Sequence, residues 1–169
     1  VHMGTYGNST AETFELSREK QDEWSYRSHS RALKAIESGI FAEEIVPVEI
    51  PQRKGDPIVV TQDEAPRTDT SVESLAKLKP AFGKEGTITA GNAPGVNDGA
   101  CALVLTNEDK AKELGKEPLA YIVGHTAIAI EPENFPQTPG LVINKLLEKT
   151  GKTIDEIDLM TGEEFESFI

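Results

Sequence analysis

Two apolar segments of strand length, Ala100 to Leu105 and Leu119 to Ile130, constrain this chain more than any other feature of its sequence. Between them, Glu108 to Leu114 reads as a short helix, capped by Asn107 and closed by Gly115. Strands alternating with helices imply an α/β sheet. A further helix is expected from Pro139 to about Lys149, with Thr138 as cap, Pro139 at its first position and Gly151 as its stop. Ile154 to Leu159 then leads into a final strand.

The first half has a different character. Ser17 to about Ile36 favours helix: Ser17 can cap, Glu19 and Asp22 lie in the early turns where the helix dipole welcomes anions, and Gly39 supplies a left-handed stop. Its apolar stripe of Ala32, Leu33, Ala35 and Ile36 is narrow, which places the helix on a surface. Glu44 to Ile50 alternates polar and apolar residues around Pro47, the pattern of an edge strand, and Ile58 to Val60 is a second short strand. The intervening Gln52-Arg53-Lys54-Gly55-Asp56 suits an exposed hairpin turn, and the same residues could also meet a phosphate. Asp63 to Pro80 is a polar loop ending in a short helix around Val72 to Leu78. Thr87 to Ala90 is a strand candidate, followed by the turn-rich Gly91 to Gly99. The first half is thus a small α+β region, with a boundary near Pro80 to Gly86.

Composition excludes several classes. A formal net charge of −12 over 169 residues argues against nucleic acid as a partner, since binding a phosphate backbone needs clustered Lys and Arg. No apolar run approaches the roughly 18 residues that read as a membrane span, and the start is too polar for a secretory signal, so a soluble, cytoplasmic protein is expected. The single cysteine, Cys101, excludes an intrachain disulfide and a Cys-rich zinc motif. A lone cysteine raises the question of a nucleophile, but its place in an apolar strand predicts a buried, inert thiol. His29 and His125 have no nearby ligand set, and Asp56, Asp63 and Glu64 read as solvated loop carboxylates, so no metal site is expected.

Several blocks, in this order, resemble the thiolase family: His2-Met3-Gly4, Ser17-Arg18-Glu19-Lys20-Gln21-Asp22, Phe41 to Val48, Arg53-Lys54-Gly55-Asp56 and Leu75 to Phe82. The most specific is Thr87-Ile88-Thr89-Ala90-Gly91-Asn92-Ala93-Pro94-Gly95-Val96-Asn97-Asp98-Gly99-Ala100. The resemblance implies an internal piece of a longer acyl-CoA C-acyltransferase. Its fold is expected to be α/β, a partial thiolase fold with a mixed sheet and helices, joined to an α+β CoA-binding loop domain. Residues 1–82 would form part of that loop domain, 83–116 the closing part of the first thiolase-fold domain, and 117–169 the opening part of the second. The Phe135-Pro136 pair is similar to the short-chain acetoacetyl-CoA enzymes.

Family chemistry uses a nucleophilic cysteine, a histidine that activates it, and a second cysteine that moves the α-proton, with oxyanion holes for the developing charge. By family order none of the three falls within this chain, and Cys101 matches neither cysteine. The family's Asn-Glu-Ala-Phe segment should follow Leu159, where the chain reads Met160 to Ile169 without the asparagine, as a truncation, a frameshift or a junction would leave it. What the resemblance carries over is a partial CoA cradle. Arg67 matches the basic residue at the adenine and phosphate end, Ser74 and Leu75 match pantetheine and nucleotide-side contacts, and Ala81, Phe82, Ala90, Gly91 and Val96 match the tunnel wall. A narrow, mostly apolar slot with few polar contacts suits a pantetheine arm. Pro94 stands where some thiolases carry a serine that bonds that arm. His2, Met3 and Phe135 match acyl-pocket positions; His-Met is also a common cloning remnant, but Gly4 continues the motif.

The resemblance therefore implies acyl-CoA as substrate, no prosthetic group, a homo-oligomer, and a chain that is inactive alone or serves as a catalytically dead CoA-binding or interaction module. A sheet deprived of neighbouring strands exposes an edge and an apolar face. Self-association or a disordered second half is expected, with residues 1–82 the more self-contained part. Sedimentation showing a monodisperse monomer, together with uniform hydrogen-exchange protection, would contradict this.

Overall fold

A computed structural model describes residues 1–160. All but the first residue of the departure from the family motif expected over 160–169, and most of a strand following Leu159, therefore lie outside the described residues. The chain divides into two units, Val1–Gly95 and the part from Val96 onward.

The first unit begins with α1 (Met3–Thr13), a helix outside the expected elements that contains the poor helix formers Gly4, Thr5, Gly7 and Thr10. Close packing explains it. A Cβ at Gly4 would collide with the Phe82 ring, and one at Gly7 would lie 3.4 Å from Ile88 Cγ1, so the glycines let the helix approach the 82–88 segment. Its end is a Schellman closure in which the Leu16 N–H donates to the Ala11 carbonyl at 2.8 Å while Glu15 takes a φ of 52°. Helix α2 (Arg18–Glu37) follows the sequence expectation: Ser17 Oγ accepts the Lys20 N–H at 3.3 Å, and Gly39 is left-handed with a φ of 73°. Its own backbone amide, and then the Ser17 hydroxyl, hold the Glu19 carboxyl below the usual carboxylate range.

Strands β1 (Val48–Ile50) and β2 (Ile58–Val60) pair antiparallel in the register Val48↔Val60 and Ile50↔Ile58, inside both expected segments. This two-stranded ribbon is the one sheet among the described residues. Helix α3 (Val72–Ala76) starts with a capping box: the Ser74 N–H donates to Ser71 Oγ at 3.1 Å and the Ser71 N–H to Ser74 Oγ at 2.9 Å. The strand expected over Thr87 to Ala90 is reduced to one bridge, Pro80 with Thr89, and an Ala81 N–H to Ile88 carbonyl bond of 2.8 Å. Side chains, in place of a ladder, bond much of that backbone. Asn8 donates to the Phe82 carbonyl at 2.7 Å and accepts the N–H groups of Thr87 and Ile88 at 3.1 and 3.0 Å.

In the second unit, α4 (Glu108–Glu113) is capped by Asn107, whose Oδ1 accepts the Lys110 N–H at 2.8 Å, and Gly115 is left-handed, both as expected. Helix α5 (Thr138–Thr150) ends at a left-handed Gly151. Thr138 is not its cap. The hydroxyl donates to the Phe135 carbonyl at 2.7 Å, because Pro132–Gln137 already winds as a 3-10 helix into α5.

The two segments that most strongly suggested an α/β sheet, residues 100–105 and 119–130, pair with no strand among the described residues, so the mixed sheet is absent there. Val104 is 97% exposed and Leu119 104%, and Cys101 is exposed rather than buried. A strand's amides and carbonyls need a neighbour's, and the described residues supply none. Part of the strand pattern persists. Gly124, Thr126, Ile128 and Ile130 are half-buried while His125, Ala127 and Ala129 are exposed. Helix α5 covers this stretch: a Cβ at Gly124 would lie 2.7 Å from Thr150 Cγ2, and Lys149 and Lys145 donate through Nζ to the carbonyls of His125 and Ala127 at 2.6 and 2.9 Å. Among the described residues no helix is long and apolar enough to cross a membrane.

Replacing Asn8 by Ala removes one donor and an acceptor shared by two part-buried amides. A destabilisation of roughly 2–4 kcal/mol is expected, read as a lowered urea midpoint by Trp24 fluorescence.

Candidate functional site

The polar centre of the first unit is Asp22, only 1% exposed although it lies on a surface helix. Its Oδ2 accepts from Arg18 Nε at 2.7 Å and its Oδ1 from Asn92 Nδ2 at 3.0 Å. Both oxygens are thereby paired, as a buried carboxylate requires. The same two partners reach further. Arg18 Nη2 donates to the carbonyls of Leu75 and Leu78, at 2.6 and 3.1 Å, where α3 ends. Asn92 donates to the Thr87 carbonyl at 3.0 Å and accepts the Thr89 N–H at 2.7 Å. Thr89 is fully buried, and its Oγ1 accepts the Gly91 N–H at 3.2 Å. Gln21 adds a bond from Nε2 to Thr87 Oγ1 at 3.1 Å.

This network brings together four of the residues singled out in the sequence. Ser74 and Leu75 lie on α3, and Ala90 and Gly91 on the loop held by Asn92. The two segments touch: a Cβ at Gly91 would come within 2.5 Å of Leu75 Cδ2 and Leu78 Cδ1, so a larger residue would have to push those side-chain ends aside. Ala90 is exposed beside them, and the Leu75 side chain is buried. The Ser74 hydroxyl donates to the Ser71 carbonyl at 2.9 Å, so its capping role occupies it.

A second group forms at the start of α1. The His2 and Phe82 rings are 6.2 Å apart and tilted by 44°, with Ala81 adjacent in sequence and Met3 exposed in the first helical turn. Val96 and Phe135 belong to the second unit, where Val96 is fully exposed and Phe135 sits in the 3-10 turn before α5.

Arg67 has partners that the sequence did not reveal. Its Nε and Nη2 meet the two carboxylate oxygens of Asp69 at 3.1 and 2.8 Å. Its N–H donates to His29 Nδ1 at 3.3 Å, so His29 tethers this loop to α2. Nothing in the spacing of residues 29 and 67 signals that contact. The hydrogen bond to Asp69, and then its charge, push the Arg67 guanidinium's pKa up, and the reciprocal bond and charge hold the Asp69 carboxyl below the usual range. Among the described residues no cluster of three or more His, Cys, Asp or Glu could hold a metal ion. The geometry thus fastens α3 to the loop carrying Ala90 and Gly91, and holds Arg67 on a separate loop tethered to α2.

The model of the thiolase N-terminal domain matches residues 1–109. The chain belongs to the thiolase family. A crystal structure of the Bacillus anthracis acetyl-CoA acetyltransferase superposes with a TM-score of 0.87 at 47% identity, covering 94% of this thiolase chain and 40% of that one. The acetyl-CoA acetyltransferase of Syntrophomonas wolfei gives a TM-score of 0.83 at 35% identity, covering 93% and 39%. A probable acetyl-CoA acyltransferase of Staphylococcus aureus strain COL is 47% identical over 158 residues, again 94% of this chain and 40% of the relative. The thiolase-like fold is therefore established, and the chain spans about 40% of the length of the relatives it matches.

Because the Arg67 hydrogen bond and charge are the largest causes that depress Asp69, Arg67→Ala should raise the Asp69 titration midpoint toward the ordinary carboxylate value, followed by NMR. The sign follows from the folded value lying below the unfolded one. The pair's contribution is present above the unfolded pKa and is lost as pH falls through the folded one. Full solvent exposure keeps it small.

Proposed function

We propose that these residues carry part of the CoA site of an acyl-CoA C-acyltransferase, which reversibly converts two acetyl-CoA into acetoacetyl-CoA plus CoA. The reading keeps residues 1–82 as part of a CoA-binding loop domain, 83–116 as the end of the first thiolase-fold domain, and 117–169 as the start of the second. Arg67 would meet the nucleotide phosphates, in competition with Asp69. Ser74, Leu75, Ala81, Phe82, Ala90, Gly91 and Val96 would border the pantetheine arm, and His2, Met3 and Phe135 the acyl end. The supporting observation is the apposition of Leu75 to Gly91, two residues that the resemblance assigns to the same CoA arm. Naming of the relatives as acetyl-CoA acetyltransferases supports acyl-CoA as the substrate class. The full-length protein is proposed to be a cytoplasmic homo-oligomer that uses CoA as a substrate and no prosthetic group.

The isolated 169 residues are proposed to be catalytically inert, because the family's nucleophile, activating histidine and second cysteine match no position in them. A second reading, a catalytically dead CoA-binding or interaction module, draws on the exposed apolar side chains of Leu103, Val104, Leu119 and Ile122.

Two measurements test this. Acetoacetyl-CoA mixed with CoA and the purified chain should show no thiolysis, and turnover near that of a complete thiolase would sink the inactivity claim. Titration with CoA should give binding tighter than about 1 mM, weakened about tenfold by Arg67→Ala. Weaker binding, or indifference to that substitution, removes the cradle assignment.

A further inference from the structure

Asp22 is a buried charge that neither the family chemistry nor the proposed ligand contacts use. It sits on α2, yet its two oxygens face two different parts of the proposed slot. Through Arg18 it reaches the carbonyls of Leu75 and Leu78, where α3 ends. Through Asn92 it reaches the Thr87 carbonyl and the Thr89 N–H, which set the path of the backbone into Ala90 and Gly91. We propose that Asp22 is a positioning residue, whose carboxylate joins α3 and the 87–92 loop into one unit and so sets the width of the CoA slot. The assignment of that slot to CoA rests on the function proposed above.

The physical case is one of shared valence. A carboxylate accepting from a guanidinium and from an amide on opposite oxygens is a rigid fork, because neither partner moves without leaving a buried charge underbonded. The two walls are already in contact, since a Cβ on Gly91 would lie 2.5 Å from Leu75 Cδ2 and Leu78 Cδ1. Asn at position 22 keeps the shape but presents one acceptor oxygen instead of two, so it can serve Arg18 or Asn92, not both. Gln21, the neighbouring anchor, bonds the Leu16 carbonyl and the Thr87 hydroxyl and does not touch α3. It provides a control that loosens the loop without uncoupling it from the helix.

The test uses the whole chain and follows amide hydrogen exchange at Thr89 and Leu78, with CoA titration, in the unmodified protein and in Asp22→Asn, Asn92→Ala and Gln21→Ala. Asn92→Ala leaves the Leu78 N–H bond to the Leu75 carbonyl in place. Faster exchange at Leu78 in that variant is therefore the signature of coupling. The expected result is faster exchange at both amides in Asp22→Asn and Asn92→Ala, with CoA affinity lowered by about tenfold to a hundredfold. Gln21→Ala should leave Leu78 exchange unchanged. The proposal is overturned if Asn92→Ala speeds Thr89 while Leu78 keeps its original rate, or if Asp22→Asn binds CoA as the unmodified chain does. Should Asp22→Asn fail to fold, Asn92→Ala decides alone. If the unmodified chain does not bind CoA, the slot assignment falls, and the exchange at Leu78 still shows whether the carboxylate joins the two walls.

Discussion

A carboxylate with almost no solvent contact must have both oxygens paired, and in this thiolase chain that requirement organises the first unit. Asp22 draws Arg18 and Asn92 toward itself, and through them the end of α3 and the 87–92 loop. Removing one partner of a buried pair costs about 3–5 kcal/mol in general. Arg18 keeps 20% side-chain exposure, so water recovers part of that here. Few large apolar side chains share the load. Among the described residues the buried hydrophobic ones are Ala11, Leu75 and Ala111. Directional polar contacts, rather than a large apolar core, set the geometry of the candidate site.

The second unit shows the complementary case. Its helices satisfy their own backbones, so α4 and α5 form where caps and glycines place them. The apolar segments 100–105 and 119–130 cannot do the same. From Gly124 to Ile130 one face rests on α5 with the alternating burial of a strand, and two lysines of that helix donate to carbonyls on the segment. Residues 100–105 and 119–123 have no such cover. The contrast follows from where each element finds its hydrogen bonds: a helix finds them within four residues, and a strand finds them only across a gap to another strand.

As a basic residue in an acidic chain, Arg67 is a natural phosphate ligand, but its fork is already closed on Asp69 and its N–H is tied to His29. The arginine is therefore presented in a fixed place with a competitor attached. A phosphate at this position would have to displace Asp69 or share the guanidinium with it.

Local chemistry was legible in the sequence. Ser17 and Asn107 as caps, Gly39, Gly115 and Gly151 as stops, and the segments of the β1–β2 pair all act through neighbours in the chain. Family membership was legible too, because the block from Thr87 to Ala100 is read without knowing its partners. Tertiary structure alone decided the rest. Helix α1 exists because Gly4 and Gly7 fit against Phe82 and Ile88, and Thr138 gave up its capping role to the turn before it. The Thr87 to Ala90 strand became a loop because Asn8 and Asn92 satisfy its backbone, and Cys101 became exposed because its segment found no sheet. Each depends on residues far away in sequence, whose arrival no local pattern of caps, periods or propensities encodes.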